Sequence, residues 1–275
     1  MVHLKSHSEI EALRRSADLV SRTLGEVARH LVEGITTSEL DVVAETFIRD
    51  HGAEPAFKGY RVGSATYPAT LCVSINDEVV HGIPGSRIIQ TGDVVSIDCG
   101  VVVDGYYGDS AYTFVVGDVK EDTARLLRTT YEALYDGIAM AVAGNRVGDI
   151  GHAVQTRCEA EGFGVVYELV GHGIGRGLHE EPQVPNVGRR GTGRKLKAGT
   201  TICIEPMITL GTSKVSSDDD GWTVRTADGS VCAHYEHMVV VRAGGAEILS
   251  TFNFIEKVVE PPYRMDLVYG ETAAN

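Results

Sequence analysis

No apolar run in this sequence approaches the roughly 18 residues that a membrane span requires. The opening residues, Met1-Val-His-Leu-Lys-Ser-His-Ser-Glu9, lack the apolar core of a signal peptide. These absences exclude a membrane partner and place the protein, as an expectation, in the cytoplasm. Basic residues are few beside acidic ones, 25 against 38, for a formal net charge of −13. Binding to nucleic acid rests largely on phosphate neutralisation by Lys and Arg, so DNA is excluded as a main partner. One local exception is the basic stretch Arg189-Arg190-Gly-Thr-Gly-Arg194-Lys195-Leu-Lys197. The five cysteines (72, 99, 158, 203 and 232) are odd in number and contain no C-x-x-C pair. Unpaired thiols in a reducing compartment follow. The glycines at 171, 173, 175 and 177 do not spell G-x-G-x-x-G and no G-K-[ST] follows them, which excludes a phosphate cradle.

What is present is ample for a sizeable core, since 275 residues suit one large domain or two small ones. Ile10, Leu13, Ala17, Val20, Leu24, Val27 and Leu31 recur at helical spacing, which predicts a helix over about 8–32. Gly34 ends it, and Thr36-Thr-Ser-Glu39 is a capping-box pattern that opens a second helix. Residues 71–76 and 93–98 read as strands, a third follows around 110–116, and Asp104-Gly105 between them is a hairpin turn. The order then repeats: a long helix near 121–142, Gly144, a shorter helix near 147–161, then β segments around His172, Glu205 and Glu236. The matching order predicts duplicated halves, about 8–116 and 121–245, packed as one sheet-centred α+β body. A catalytic domain of 1–255 and a tail of 256–275 complete the expected division.

Five residues of metal-ligating type stand in unusual contexts: Asp98, Asp109, His172, Glu205 and Glu236. Four carboxylates and one imidazole exceed the needs of one divalent ion and suit two oxygen-preferring ions that share bridging carboxylates. Taken alone each has a plainer reading, as a turn former, a loop residue or a strand-end charge. Asp98 and Asp109 would lie on opposite faces of one straight strand, but the intervening hairpin folds the second strand back beside the first. Glu205 and Glu236 border the apolar strands Thr201-Ile-Cys-Ile204 and Met238-Val-Val-Val241, where an unpaired charge is costly. The glycines around His172 and His179 are read as permitting tight turns.

These motifs share an order and spacing with a known family. Asn76-Asp-Glu-Val-Val-His81-Gly-Ile-Pro, Asp98, Gly108-Asp109, Gly171-His-Gly-Ile-Gly-Arg-Gly-Leu-His179-Glu-Glu-Pro, Ile204-Glu-Pro-Met, Gly221-Trp-Thr-Val and Tyr235-Glu-His carry the likeness. Over nearly its whole length the chain resembles the type 1 methionine aminopeptidases of metallopeptidase family M24, bacterial type. The resemblance implies the pita-bread fold, an α+β body with pseudo-twofold halves around a central antiparallel sheet. It implies two divalent ions, with Asp109 and Glu236 bridging them, Asp98 on one, and His172 and Glu205 on the other. Co, Fe, Mn and Zn all suit such a set. It further implies hydrolysis of the first peptide bond by a water activated between the ions, with Glu205 as proton shuttle. His179 would donate to the oxyanion and His81 would face the scissile bond. Tyr67, Cys72, His81, His179 and Trp222 would bind substrate, with Phe57 and Tyr60 near the pocket edge. The implied substrates are nascent polypeptide N-termini with a small second residue, met by a monomer near the ribosomal exit tunnel.

The chain also departs from the family pattern. Leu178 stands where some relatives have Phe, and segment 59–68 is a few residues longer than usual. His234 replaces a commonly uncharged polar residue, and reads either as a hydrogen-bonding residue behind the ligands or as a surface group. Stretch 216–220 is acidic where some relatives carry lysines, which leaves 189–197 as the expected ribosome contact. Two rivals are an Xaa-Pro aminopeptidase of the same fold and a non-catalytic binding protein built on it. The first usually carries a large extra N-terminal domain, whereas this chain starts at the first catalytic helix. The second typically lacks ligands that are all present here.

Overall fold

The computed structural model describes residues 2–259. Helix α1 (His7–His30) starts at a capping box in which the Glu9 carboxylate accepts from the Ser6 amide at 2.8 Å. Helix α2 (Thr37–Asp50) starts the same way, Glu39 accepting from the Thr36 amide at 2.8 Å. One face of α1, including Leu13, Val20, Leu24 and Val27, is fully buried, as its spacing predicts. Strands β1 (Leu71–Ile75), β2 (Glu78–Val80), β3 (Val94–Val103) and β4 (Tyr106–Val115) follow.

Strands β3 and β4 form an antiparallel hairpin paired along its whole length, from Val94 opposite Val115 to Val103 opposite Tyr106. Its turn residues Asp104 and Gly105 have φ of 51° and 75°, the left-handed pair that a two-residue hairpin turn demands. Both strands outrun the predicted spans. Gly100, Gly108 and the aspartates interrupt the apolar pattern, whereas the tight turn propagates pairing past them.

The second half contains α3 (Glu121–Met140), α4 (Val147–Ala160), β5 (Val170–Gly173), β6 (Glu180–Pro185), β7 (Thr201–Ile204) and β8 (Met207–Thr209). After two short strands, Val215–Ser217 and Val224–Thr226, come β9 (Cys232–His234), β10 (His237–Val241), β11 (Ala246–Ile248) and α5 (Asn253–Glu256). The first half's sheet places β3 between β1 and β4; the second runs β6-β5-β7-β10-β11, antiparallel throughout. Helix α4 repeats the start of α2: the Asp149 carboxylate accepts from the Arg146 amide at 2.7 Å. The fold is thus α+β, with the element order read from the sequence. The tail expected from 256 begins inside α5, whose Ile255 is buried against the core, and residues 260–275 lie outside the described residues. No helix among the described residues is long and apolar enough to cross a membrane.

The halves meet where β4 runs beside the β9–β10 connection. The Glu236 amide donates to the Ala111 carbonyl at 2.9 Å, and the Ser110 hydroxyl donates to the Glu236 carbonyl at 2.8 Å. The Thr113 hydroxyl donates to the His234 carbonyl at 2.7 Å and accepts from its amide at 2.9 Å. This seam holds the acidic residues described next.

Candidate active site

Asp98 on β3 stands opposite Ala111, and Asp109 on β4 stands opposite Gly100. The two aspartates are therefore diagonal neighbours on one face of the hairpin, within side-chain reach of each other. Glu236 reaches the same place because its backbone is bonded to Ala111 and Ser110. Glu205 directly follows β7, its carbonyl accepting from the Asn186 amide side chain at 3.0 Å. His172 lies on β5, where Nδ1 donates to the Gly173 carbonyl at 3.0 Å. That bond assigns the proton to Nδ1 and turns a free Nε2 lone pair inward. Nε2 is 3.7 Å from Asp109 Oδ2 and 3.6 Å from Glu205 Oε1.

Donor atoms of Asp109, His172, Cys203 and Glu236 lie within 4.8 Å of one another. Asp98 Oδ1, Asp109 Oδ1 and Glu236 Oε1 are buried without any protein hydrogen-bond partner. Burial first, and then repulsion from the neighbouring carboxylates, pushes Asp109 and Glu236 well above the usual carboxylate range. Glu205 is raised for the same reasons, and burial lifts Asp98 to about 6. Burial holds His172 down at about 3, so its imidazole is neutral. Packed carboxylates, orphaned oxygens and a neutral imidazole fit divalent cations, which would satisfy those oxygens and offset the repulsion. Cys203 joins the cluster without a signal of its own in the sequence, where it reads as one residue of an apolar strand. Burial and the adjacent carboxylates raise its thiol, so it stays protonated beside Glu236.

The acidic cluster forms one end of a cavity of about 250 Å³. The other walls are Phe57, Tyr60, Tyr67, Cys72, Leu178, Met207 and Trp222, apart from shorter aliphatic groups. The Tyr67 hydroxyl lies 3.0 Å from the carbonyls of Leu71 and Gly82, so its ring is what faces the cavity, edge-on to Trp222 at 5.1 Å. Trp222 is held from behind by the acidic stretch: Asp220 accepts from the amides of Trp222 and Thr223, each at 2.8 Å. Met207 and Leu169 were not singled out from sequence; the nearest signal was their place beside Glu205 and His172.

His81 and His179 also line the cavity. His81 adopts φ of 61°, a conformation that costs a non-glycine residue of order 1–3 kcal/mol and that tends to mark functional positions. Burial, then the nearby His234 and His179, lowers its imidazole to about 4. His179 is more open, its ring edge-on to His172 at 4.4 Å and its Nδ1 2.6 Å from the Tyr60 hydroxyl. Tyr60 gets there because segment 59–68 is a small hairpin, Arg61–Val62 paired with Ala65–Thr66, folded over the cavity mouth.

Two readings sharpen. The chain does bend over 175–179, but without left-handed residues, for none of the glycines at 171, 173, 175 and 177 has positive φ. A Cβ at Gly171 or Gly173 would instead collide with the carbonyl oxygens of Cys203 or Glu181 on neighbouring segments, so close approach is the requirement. His234 is no surface group: it is 2% exposed and its Nε2 is 3.6 Å from Glu205 Oε2.

Comparison with known proteins agrees with this geometry. Residues 11–243 match metallopeptidase family M24. A methionine aminopeptidase of Clostridium perfringens is 48% identical over 250 residues, covering 91% of this chain and 99% of the relative. Methionine aminopeptidase 1 of Bacillus subtilis is 45% identical with the same coverage. The crystal structure of a methionine aminopeptidase from Thermotoga maritima superposes with a TM-score of 0.88 at 42% identity, covering 91% of this chain and all of that one. The chain belongs to metallopeptidase family M24 and, within it, to the methionine aminopeptidases.

Proposed function

We propose that the protein removes the N-terminal methionine of nascent polypeptides whose second residue is small, with two divalent cations held by Asp98, Asp109, His172, Glu205 and Glu236. The observation that carries this reading is the cluster of buried, unpartnered carboxylate oxygens at the end of an apolar, aromatic-walled cavity. Bound cations supply Lewis acidity, lowering the pKa of a water between them and polarising a carbonyl oxygen. Asp109 and Glu236, at the centre of the cluster, would contribute to holding both cations, with Asp98, His172 and Glu205 supplying the other donors.

The roles of the other residues follow from their chemistry. Glu205, raised by burial, suits a group that takes a proton at one oxygen and returns it to the leaving amine near neutral pH. Tyr67, Cys72 and Trp222 receive the methionine side chain on an apolar surface. His179 has its Nδ1 engaged by Tyr60, which leaves Nε2–H to donate to the developing oxyanion. His81 faces the scissile bond. A cavity of this size takes one residue, so the second residue lies at the mouth beside His179 and the Tyr60 hairpin, where a large side chain is crowded. The protein works as a cytoplasmic monomer, and the exposed basic stretch 189–197 is its contact with the ribosome near the exit tunnel.

The test is cleavage of Met-Ala-Ser against Met-Lys-Ser after chelation and return of single metals. We expect metal-dependent release of methionine, with Met-Ala-Ser favoured by at least about 10²-fold in kcat/KM. Equal rates would remove the small-residue rule, and release of residues ahead of proline would favour an Xaa-Pro activity instead. Tyr60→Phe should lower kcat about 10-fold with KM little changed, the worth of one hydrogen bond to His179. Steady-state kinetics on Met-Ala-Ser checks this.

A further inference from the structure

We propose that His234 is a sixth protein donor to the divalent-metal centre, setting a second imidazole nitrogen against Glu205 from the side opposite His172. The proposal rests on the metal-centre reading above and assigns a residue that the five-ligand set does not include.

The first observation is an unmet need. His234 is 2% exposed, and its Nε2 has no hydrogen-bond partner. A buried ring nitrogen without a partner is costly, and such groups in folded proteins usually mark an ion, a water or a reactive role. His234 lines the same cavity as Asp98, Asp109 and Glu236, each of which carries an orphaned oxygen of its own. The need is therefore shared by one cluster.

The second observation is placement. The His234 backbone is gripped on both sides by the Thr113 hydroxyl, which accepts from its amide and donates to its carbonyl. That hydroxyl is itself 2.8 Å from Ser96 Oγ on β3, so the ring hangs from the same hairpin that carries Asp98 and Asp109. A side chain fixed this way is aimed by the sheet.

The third observation is distance. His234 Nε2 lies 3.6 Å from Glu205 Oε2, and His172 Nε2 lies 3.6 Å from Glu205 Oε1. Each separation is too long for a hydrogen bond. With bonds of about 2.1 Å to a shared ion, two donors at angles of about 110–120° sit about 3.4–3.6 Å apart. The Glu205 carboxylate thus stands between two imidazoles at the spacing of co-ligands.

A second imidazole changes what the centre selects. Four carboxylates and one histidine favour oxygen-preferring ions; an added nitrogen donor tilts the set toward Co, Fe or Zn relative to Mn. His234 is in this sense a selectivity residue.

The experiment titrates chelator-treated full-length protein with Co²⁺ and, separately, Mn²⁺ by calorimetry, comparing wild type with His234→Gln and Asp109→Ala. X-ray absorption of the Co²⁺-loaded proteins counts imidazole donors. We expect two imidazoles in wild type and one in His234→Gln. The Kd for Co²⁺ should rise roughly 10–100-fold, with less than about a threefold change for Mn²⁺. An unchanged imidazole count with unchanged Co²⁺ affinity overturns the proposal. If Asp109→Ala also binds Co²⁺ normally, the metal-centre reading itself fails; if only Asp109→Ala loses the ion, His234 alone is misassigned. Should His234→Gln fail to fold by circular dichroism, His234→Asn carries the same comparison.

Discussion

Replacing Asp109 with alanine is expected to reduce turnover of Met-Ala-Ser by at least about 10³-fold and to abolish tight binding of one or both divalent ions. Asp109 is buried, carries an oxygen without a protein partner, and lies within reach of Asp98, His172 and Glu236. It is the member of the cluster whose ionisation is opposed by all three other carboxylates. Its removal takes away the carboxylate most closely surrounded by other candidate metal donors. In the metal-free protein the same change relieves repulsion, so the variant should fold and should be at least as stable as metal-free wild type at pH 8. Metal titration and kinetics on the one sample check both halves; full activity with undiminished binding would contradict the assigned metal role.

Chelated protein is expected to lose stability as pH rises from about 6.5 to 8.5, and to regain it when metal is returned. Asp109, Glu205 and Glu236 have folded-state pKa values raised well above their unfolded ones by burial and mutual repulsion. A raised group contributes stability that is complete below its unfolded pKa and is lost as pH climbs through its folded one. Each carboxyl still protonated in the native state costs about 1.4 kcal/mol per pH unit. If the cluster holds one such proton across the window, the loss is about 3 kcal/mol and the melting temperature falls by on the order of 5–10 °C. Asp98, raised only to about 6, has largely titrated before the window opens. The half-buried His81 and the buried His172 and His237 act oppositely, since their depressed pKa values cost stability as pH falls below 6.5. Confining the scan to the alkaline side separates the two. Calorimetry with and without chelator reads it, and a flat or rising profile without metal would reject the account.

Much of this was legible locally. The capping box at Thr36 is a chemical signal that needs no tertiary context, and α2 starts there; the matching box at Ser6, which opens α1, went unread because periodicity alone placed that helix. Asp104-Gly105 names its own turn, and the turn sets the register that puts Asp98 and Asp109 on one face. Strand extents were less legible because glycines and buried aspartates break the alternation on which strands are recognised. The environment of His234 was out of reach: its burial depends on Thr113, 121 residues away, and its neighbour Glu205 lies on another strand's end. The hairpin over the cavity was equally hidden, since segment 59–68 has no periodicity to reveal that Tyr60 meets His179. Stretch 216–220 reads in the sequence only as acidic, whereas in the fold Asp218 pairs with Arg225 and Asp220 props Trp222.

The seam also has a mechanical meaning. Asp98 and Glu236 are 138 positions apart (236 − 98), with most of the second half of the chain between them. An ion gripped by both ends of that interval closes a loop, much as a covalent cross-link would. A permanent link over a loop of that length is worth on the order of 5 kcal/mol in lost chain entropy. A cation held there would add a clasp to the hydrogen-bonded seam, and resistance to proteolysis between the halves should follow metal occupancy.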